Sequence, residues 1–113
     1  MHVERNNPRY QSFAHVWIPE VLEGECFLKN ISVTGCCVEC AGVTGIQPNT
    51  RYELNIKPEG ASHIGSFEIQ VECKWVRGDD SSTEIGFCII ASPKGKQFQN
   101  YVDYLAYYHN SHS

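Results

Sequence analysis

The sequence predicts an all-β domain, a six-stranded antiparallel β-barrel followed by a C-terminal α-helix. Three observations predict this fold: segments in which apolar and polar residues alternate, turn-forming residues between those segments, and a change to helical spacing near the C-terminus. Six short strands without intervening helices favour an antiparallel barrel over a parallel α/β sheet. The 113 residues fit one domain that buries a core of its own.

Six segments are predicted to be strands. Residues 67–76 and 51–57 alternate most regularly, and residues 83–91 follow the same pattern. Weaker patterns predict strands at residues 13–18, 26–33 and 36–43. In the segment 67–76 the residues expected to face the core are Phe67, Ile69, Val71, Cys73 and Trp75.

Residues 42–49, 58–60 and 78–81 contain the glycine, proline, asparagine and aspartate expected at chain reversals. Ser92 and Pro93 are a suitable N-cap and first helical residue. An apolar helical stripe then follows, made of Phe98, Tyr101, Val102, Leu105 and Tyr108. The stripe either covers the barrel or docks a partner or a second copy. We expect a flexible arm at 1–12, the barrel and helix at 13–109, and a frayed tail at 110–113.

The composition limits the classes of partner. A net charge of −4 and a pI near 5.7 argue against a DNA- or RNA-binding protein, which usually carries a basic face. Any site that binds an anion must therefore be built from a few basic residues that lie close together. The first residues lack the apolar region of a signal peptide, and no apolar run approaches the ~20 residues that span a bilayer. We therefore expect a cytoplasmic protein without membrane insertion.

Six cysteines raise the alternative of a metal or redox protein. Without an export signal, we expect them to be reduced, small and buried. Cys37 and Cys40 form a CxxC, but a structural zinc site normally needs a second ligand pair, and Cys73 and Cys88 are isolated. Residues three apart on a strand also face opposite ways. No metal site is expected.

The sequence offers little support for an enzyme or for a single-stranded nucleic-acid binder. The five histidines show no spacing with a nucleophile or carboxylate that indicates a catalytic dyad or triad. A five-stranded OB-type barrel would interleave basic and aromatic residues on exposed strand faces. The outward positions of residues 67–76 are instead mainly acidic or neutral.

Two arginines near the N-terminus form the first candidate element of a binding site. Arg5 and Arg9 are separated by two asparagines and Pro8, and proline disfavours helical backbone at the preceding residue. This stretch is therefore predicted to be a mobile loop. Arginine binds phosphate through a planar fork, pairs with guanine O6 and N7, and stacks on bases. Taken alone, the motif is more typical of two solvated arginines in a terminal segment.

The second candidate element runs from Asn30 to Gly35. If this stretch is a strand, Asn30 and Ser32 share one face, and Ile31 and Val33 share the other. The apolar pair would enter the core, and the amide and hydroxyl would stand outside, able to read the edge of a base. Gly35 would let the chain turn tightly or let a ligand approach the backbone. The alternative is a turn in which the polar side chains satisfy local backbone groups.

Together the two elements resemble the PilZ domain, a bacterial family of receptors for cyclic di-GMP. The family signature is RxxxR in an N-terminal loop, followed by [D/N]xSxxG on the barrel. Here it reads Arg5-Asn6-Asn7-Pro8-Arg9 and Asn30-Ile31-Ser32-Val33-Thr34-Gly35. Residues 74–77 and 84–87 also look like the family's last two strands. The resemblance covers nearly the whole chain.

The resemblance implies a site for cyclic di-GMP on the outer wall of the barrel, with no other cofactor. Arg5 and Arg9 would hold its phosphates and guanines. Asn30 and Ser32 would hydrogen-bond a guanine, and Gly35 would leave room for the ligand.

The resemblance further implies a receptor without enzyme activity. Ligand binding would order the arm and signal to a protein partner that controls motility or exopolysaccharide synthesis. A ligand-independent protein-interaction scaffold of the same fold is the alternative. Glu4 stands where the family often has another basic residue, which leaves open whether one ligand molecule or a stacked pair binds. Trp75 is a further candidate for guanine contact, although its alternation with core residues favours a core position.

Overall fold

The computed structural model describes residues 8–19, 26–41, 45–78, 81–91 and 96–111, with side chains up to residue 109. The strands are β1 (Tyr10–Gln11), β2 (His15–Trp17), β3 (Cys26–Ile31), β4 (Gly35–Ala41), β5 (Arg51–Lys57), β6 (Phe67–Gly78) and β7 (Ser82–Ala91). A 3₁₀ turn spans Gly60–Ser62, and the helix α1 spans Gln97–Ser111.

The predicted six-stranded antiparallel barrel is confirmed. Strands β2 to β7 pair in the order β3-β2-β5-β6-β7-β4, and pairing of β4 with β3 closes the barrel. One further strand, β1, was not predicted, because two residues are too few to show a periodic pattern. It pairs with the end of β3 through Tyr10 opposite Ile31 and Gln11 opposite Asn30. The last part of the predicted arm is therefore part of the sheet.

The core follows the alternation that the sequence predicted for β5 and for most of β6. Tyr52, Leu54 and Ile56 point inward from β5, and their partners on β6 are also buried. Their side chains join one cluster that runs through the barrel. Burial of this apolar surface is the main force that holds the strands together.

Trp75 does not lie in the core as predicted, and a β-bulge is the reason. Inward alternation on β6 holds as far as Cys73, which pairs with Phe87. Trp75 then pairs with Gly86, so two steps along β6 match one step along β7. The extra residue, Lys74, shifts the alternation by one position. Trp75 consequently faces outward and is 39% exposed.

The expectation of six reduced cysteines is wrong for one pair. Antiparallel register places Cys26 of β3 opposite Cys40 of β4, with their Cα atoms 4.2 Å apart, and the two form a disulfide. This separation is slightly shorter than the usual Cα–Cα range of about 4.4–6.8 Å for disulfides. Register between two strands cannot be read from cysteine spacing, so the sequence did not reveal the pairing. The free cysteines are Cys36, Cys37, Cys73 and Cys88.

The helix α1 packs on the barrel, which is the first of the two roles that its apolar stripe left open. The buried ring of Tyr101 lies 6.0 Å from that of Phe67, centroid to centroid. Its hydroxyl donates a hydrogen bond to Glu59 Oε1 at 2.7 Å and lies 2.6 Å from Ser12 Oγ. Burial raises the pKa of Tyr101, which keeps this hydroxyl neutral at ordinary pH. The helix is thereby fastened to the segment that follows β1.

The outer end of the helix carries exposed aromatic rings. Tyr107 and Tyr108 are exposed, and Tyr108 stacks on Tyr104 with ring centroids 6.1 Å apart. Within the described ranges, α1 and the short 3₁₀ turn are too short or too polar to span a bilayer.

Candidate functional site

A groove of about 480 Å³ lies on the outside of the barrel, across β3, β4, β6 and β7. Ligand pockets commonly have volumes of about 300–1,000 Å³, so the groove is large enough for a small-molecule ligand. It is lined by Arg9, Lys29, Asn30, Thr34, Gly35, Cys36, Cys37, Lys74, Trp75, Arg77, Glu84, Gly86, Phe87 and Cys88.

Arg9 connects the two sequence motifs. Its Nη1 donates a hydrogen bond to Asn30 Oδ1 at 2.9 Å. A Cβ atom at position 35 would lie 3.0 Å from Arg9 Nη2 and 2.8 Å from the backbone oxygen of Phe87. Gly35 is therefore required by the close approach of β7 and of the guanidinium. Pairing of β1 with β3 sets Tyr10, the residue after Arg9, opposite Ile31, the residue after Asn30.

A β-bulge in β3 puts two consecutive side chains on the groove. Leu28 pairs with Val38 and Asn30 pairs with Cys37, so Lys29 is the extra residue. Leu28 is buried in the core, whereas Lys29 and Asn30 both line the groove. Bulges re-aim side chains in this way, and they are frequent beside functional sites.

The alternation predicted that Ser32 would face outward beside Asn30, but Ser32 is buried. Strand β3 ends at Ile31, and Ser32 is buried in the turn that leads to β4. Its Oγ accepts hydrogen bonds from the backbone N–H of Thr34 (3.1 Å) and of Gly35 (3.2 Å). The turn also exposes Val33, which was expected in the core. Serine here satisfies local backbone donors, the turn interpretation that the sequence left open.

The bulge at Lys74 turns the Trp75 ring outward on the opposite side of the groove. The Trp75 ring lies directly on Gly86, because a Cβ there would be 2.2 Å from Trp75 Cε2 and 2.3 Å from Nε1. The guanidinium carbon of Arg77 lies over the ring, 4.6 Å from its centroid. This distance is within the range of a cation–π contact.

Positive charge dominates the groove. Four basic side chains and one carboxylate line it: Arg9, Lys29, Lys74, Arg77 and Glu84. Glu84 accepts a hydrogen bond from Lys29, and its Oε1 lies 3.5 Å from Arg77 Nη2. The hydrogen bond between Lys29 and Glu84 raises the pKa of the amine and lowers that of the carboxyl. A chain of net charge −4 thus concentrates cations at one surface, which attracts anions.

The two cysteines of the CxxC motif do not lie together at one site. Cys37 lines the groove, whereas Cys40 belongs to the core and is held in the disulfide. Among the residues that the structure describes, no group of three or more histidine, cysteine, aspartate or glutamate side chains could hold a metal ion. Burial raises the pKa of Cys36 to about 12 and also raises the pKa of Cys37. Both thiols are therefore protonated at neutral pH.

The structure brings together three of the five residues that the sequence singled out. Arg9, Asn30 and Gly35 line the groove, and the buried Ser32 lies in the turn behind it. Arg5 lies outside the described residues.

Sequence reasoning missed the basic residues that complete the groove. Lys74 was taken as an ordinary outward position on its strand, and Lys29 and Arg77 were given no role in the site. A signal for two of them was present in the stretch 74–77, where Lys74 and Arg77 flank an aromatic residue. Lys29 directly precedes Asn30, but only the bulge turns the two side chains to the same surface.

Comparison with protein families identifies the class. The PilZ domain matches residues 4–106, and the chain belongs to this family. PilZ domains are a regulatory family of cyclic di-GMP receptors. No curated protein sequence matches the chain significantly.

Among solved structures, the fold resembles that of the Bacillus subtilis inhibitor of motility (MotI/DgrA). The TM-score is 0.75 and the sequence identity is 19%, over 97% of this chain and 53% of the other. The chain therefore spans about half of that structure. At this identity the likeness concerns the fold.

Proposed function

We propose that this protein is a receptor for cyclic di-GMP and that the ligand binds in the groove on β3, β4, β6 and β7. The observation that carries the proposal is the convergence of the two family motifs. Arg9 of the first motif hydrogen-bonds Asn30 of the second and packs against Gly35, at the edge of a basic groove. Cyclic di-GMP offers two phosphates and two guanines, which match cationic and hydrogen-bonding groups of this kind.

We assign each motif residue a role in binding the ligand. Arg9 and Arg5 bind phosphate and guanine through their guanidinium groups. Asn30 presents an amide to a guanine edge. Gly35 keeps the floor open, and Ser32 acts indirectly, because its hydroxyl fixes the turn that carries Gly35.

The basic lining supplies attraction at longer range. Lys29, Lys74 and Arg77 surround the groove without belonging to either motif. Phosphate binding to these cations is partly ionic, so affinity falls as salt is raised. The receptor acts by binding and not by catalysis, since the proposed site uses its side chains to hold an anion.

Titration calorimetry tests the proposal. The wild-type protein is titrated with cyclic di-GMP, with GTP and cyclic GMP as control ligands. Arg9→Ala is expected to abolish measurable binding, because it removes charge-assisted hydrogen bonds that are each worth about 1.5–3 kcal/mol. Its melting temperature without ligand should barely change, since the hydrogen bond from Arg9 to Asn30 is exposed.

Arg51→Ala is the matched control. Like Arg9, Arg51 is an exposed arginine. It contacts the carboxylate of Glu72, lies on β5 and does not line the groove. This variant should bind as the wild type does. Wild-type protein that ignores cyclic di-GMP at micromolar concentration, or an Arg9→Ala variant with unchanged affinity, would contradict the proposal.

We further propose that binding orders the arm and so changes the surface offered to a protein partner in the cytoplasm. Tyr10 and Gln11 already pair with β3, so ordering concerns the residues before them. Amide hydrogen exchange across residues 1–9 should slow when cyclic di-GMP is added. Equal protection with and without the ligand would refute arm ordering while leaving the binding site intact.

Exposed aromatic residues favour contact with a protein partner and keep the scaffold alternative open. Phe13 and Trp17 are each 61% exposed, and Phe27 is also exposed on the neighbouring strand β3. Single exposed apolar residues are ordinary, but three exposed aromatic rings, two of them on the paired strands β2 and β3, are suited to a partner. Partner binding that is unaffected by cyclic di-GMP would support the scaffold function instead.

A further inference from the structure

Arg77 belongs to neither family motif, yet it is held beside the groove by two neighbours. Its guanidinium carbon lies over the Trp75 ring, 4.6 Å from the centroid. Its Nη2 lies 3.5 Å from Glu84 Oε1. The two contacts define both the position of the group and the direction of one edge. The Arg77 side chain nevertheless remains 72% exposed, so its outer face is open.

Both faces of the Trp75 ring have a neighbour, and the residue as a whole is 39% exposed. One side rests on Gly86, where even a Cβ atom would come within 2.2 Å of the ring. The other side is covered by the guanidinium of Arg77. A base that approaches this face of the ring therefore meets Arg77 before it meets Trp75. Stacking on this face of the indole would first require Arg77 to leave both Trp75 and Glu84.

We propose that Arg77 is a specificity-determining residue on which a purine base of the ligand stacks, with Trp75 and Gly86 as the rigid layers beneath. The inference rests on the proposed function, because it assigns one base of the dinucleotide to this place. A guanidinium is planar and weakly hydrated, and it stacks on aromatic systems through its face. Backing by Trp75 holds it in place before the ligand arrives, which reduces the entropy lost on binding.

The surroundings favour a base at this position over a phosphate. Glu84 already neutralises part of the charge of Arg77 and also pairs with Lys29. An anion placed on Arg77 would be repelled by this carboxylate, whereas a neutral base would not. A purine covers more of the planar group than a pyrimidine does. Phosphates are better served by Arg9, which bonds to the neutral amide of Asn30.

The test compares Arg77→Ala, Arg77→Lys and the control Arg51→Ala by titration calorimetry with cyclic di-GMP. Arg77→Ala should weaken binding severalfold, because the base loses the guanidinium and recovers only part of its stacking on the exposed indole of Trp75. Arg77→Lys should lose nearly as much, because it keeps the charge but has no planar face. Arg51→Ala should bind as the wild type does, and melting temperatures should be similar throughout.

Tryptophan emission provides an independent readout in a Trp17→Phe background, in which Trp75 is the remaining tryptophan. With Arg77 in place, the ligand should change the emission of Trp75 only slightly. In Arg77→Ala the base would reach the indole, and saturating ligand should quench it strongly. Strong quenching with Arg77 present would show displacement of the arginine and overturn the proposal.

These experiments distinguish failure of the stacking role of Arg77 from failure of the proposed function. Wild-type binding with unchanged affinity in Arg77→Ala overturns the role of Arg77 alone. Full affinity in Arg77→Lys would show that charge, and not a stacking face, is what matters there, which also overturns it. Absence of binding by the wild type overturns the proposed function, and the stacking role fails with it.

Discussion

Two walls of the same barrel differ in how regularly their strands pair, and the less regular wall carries the groove. The regular wall, made of β2 and β5, pairs without a register shift, from His15 opposite Lys57 to Trp17 opposite Asn55. The groove wall, made of β3, β4, β6 and β7, has bulges at Lys29 and at Lys74 and a further register shift at Gln70 and Val71, outside the groove lining. Side chains alternate strictly on the first wall and do not on the second.

Bulges give a barrel of ordinary strands a binding surface. An uninterrupted strand sends every second side chain into the core, so two neighbours along the chain cannot both face a ligand. Each bulge removes this restriction at one point. Asn30 joins Lys29, and Trp75 joins Lys74, on the outer surface. The cost is a locally disrupted ladder of hydrogen bonds.

The largest expected effect concerns the covalent link inside the groove wall. The disulfide between Cys26 and Cys40 joins β3 to β4 across a sequence separation of 14 residues. Closing a loop of about this length stabilises a protein by roughly 3 kcal/mol. Reduction should therefore lower the free energy of unfolding by about this amount and speed amide exchange in β3 and β4 more than in β5.

The control for reduction is the double variant Cys26→Ala and Cys40→Ala. The reductant should leave its melting temperature unchanged, since its other cysteines are free thiols. Equal destabilisation of β5 would show that the two walls do not differ in this respect.

Gly35→Ala tests the close packing on the groove wall. The added methyl group would lie 2.8 Å from Phe87 O and 3.0 Å from Arg9 Nη2. Overpacking of this kind typically costs about 1–3 kcal/mol of stability, and it would also displace Arg9. Thermal unfolding should show the loss, and calorimetry should show weakened binding of cyclic di-GMP.

Gly65→Ala is the matched substitution outside the groove. A Cβ atom at Gly65 meets nothing within 4 Å. This variant should retain the stability and the affinity of the wild type. A Gly35→Ala variant that behaves like Gly65→Ala would show that the close approach at the groove is unimportant.

A smaller effect is expected from alkaline pH. Burial raises the pKa of Cys36 from 9.0 to about 12, so folding favours the neutral thiol. Its contribution is complete below pH ~9 and is lost as the pH rises from there towards 12. At pH 10 the protein should be less stable by about 1 kcal/mol from this group.

Denaturant unfolding at pH 7 and pH 10 measures the alkaline effect. Cys36→Ala should lose less stability between the two values than the wild type does. The buried groups Cys37, Cys73 and Tyr101 also have raised pKa values, so some loss should remain. Stability that is constant from pH 7 to pH 10 would contradict this expectation.

The sequence predicted the regular parts of the fold for a physical reason. Alternation records which face of a strand is buried, so β5, most of β6 and the helix α1 were found where the pattern is continuous. Family resemblance added the two motifs, and Arg9, Asn30 and Gly35 do meet at one groove. No periodic signal could locate the two-residue strand β1.

The errors arose where one residue changes the register. Trp75 fits an inward alternation until Lys74 is counted as a bulge. Ser32 fits an outward position until β3 ends one residue before it. The disulfide depends on which residues of β3 and β4 face each other. All three depend on contacts between strands, which local sequence does not encode.

The most direct test of the central claim is an NMR titration of the labelled protein with cyclic di-GMP. The groove wall should respond: the amides of Gly35 and Gly86 and the indole N–H of Trp75 should shift and saturate together. The indole of Trp17 on the regular wall and the amide of Gly65 should stay in place. Shifts centred on Trp17, or no shifts at saturating ligand, would contradict the assignment of the groove as the binding site.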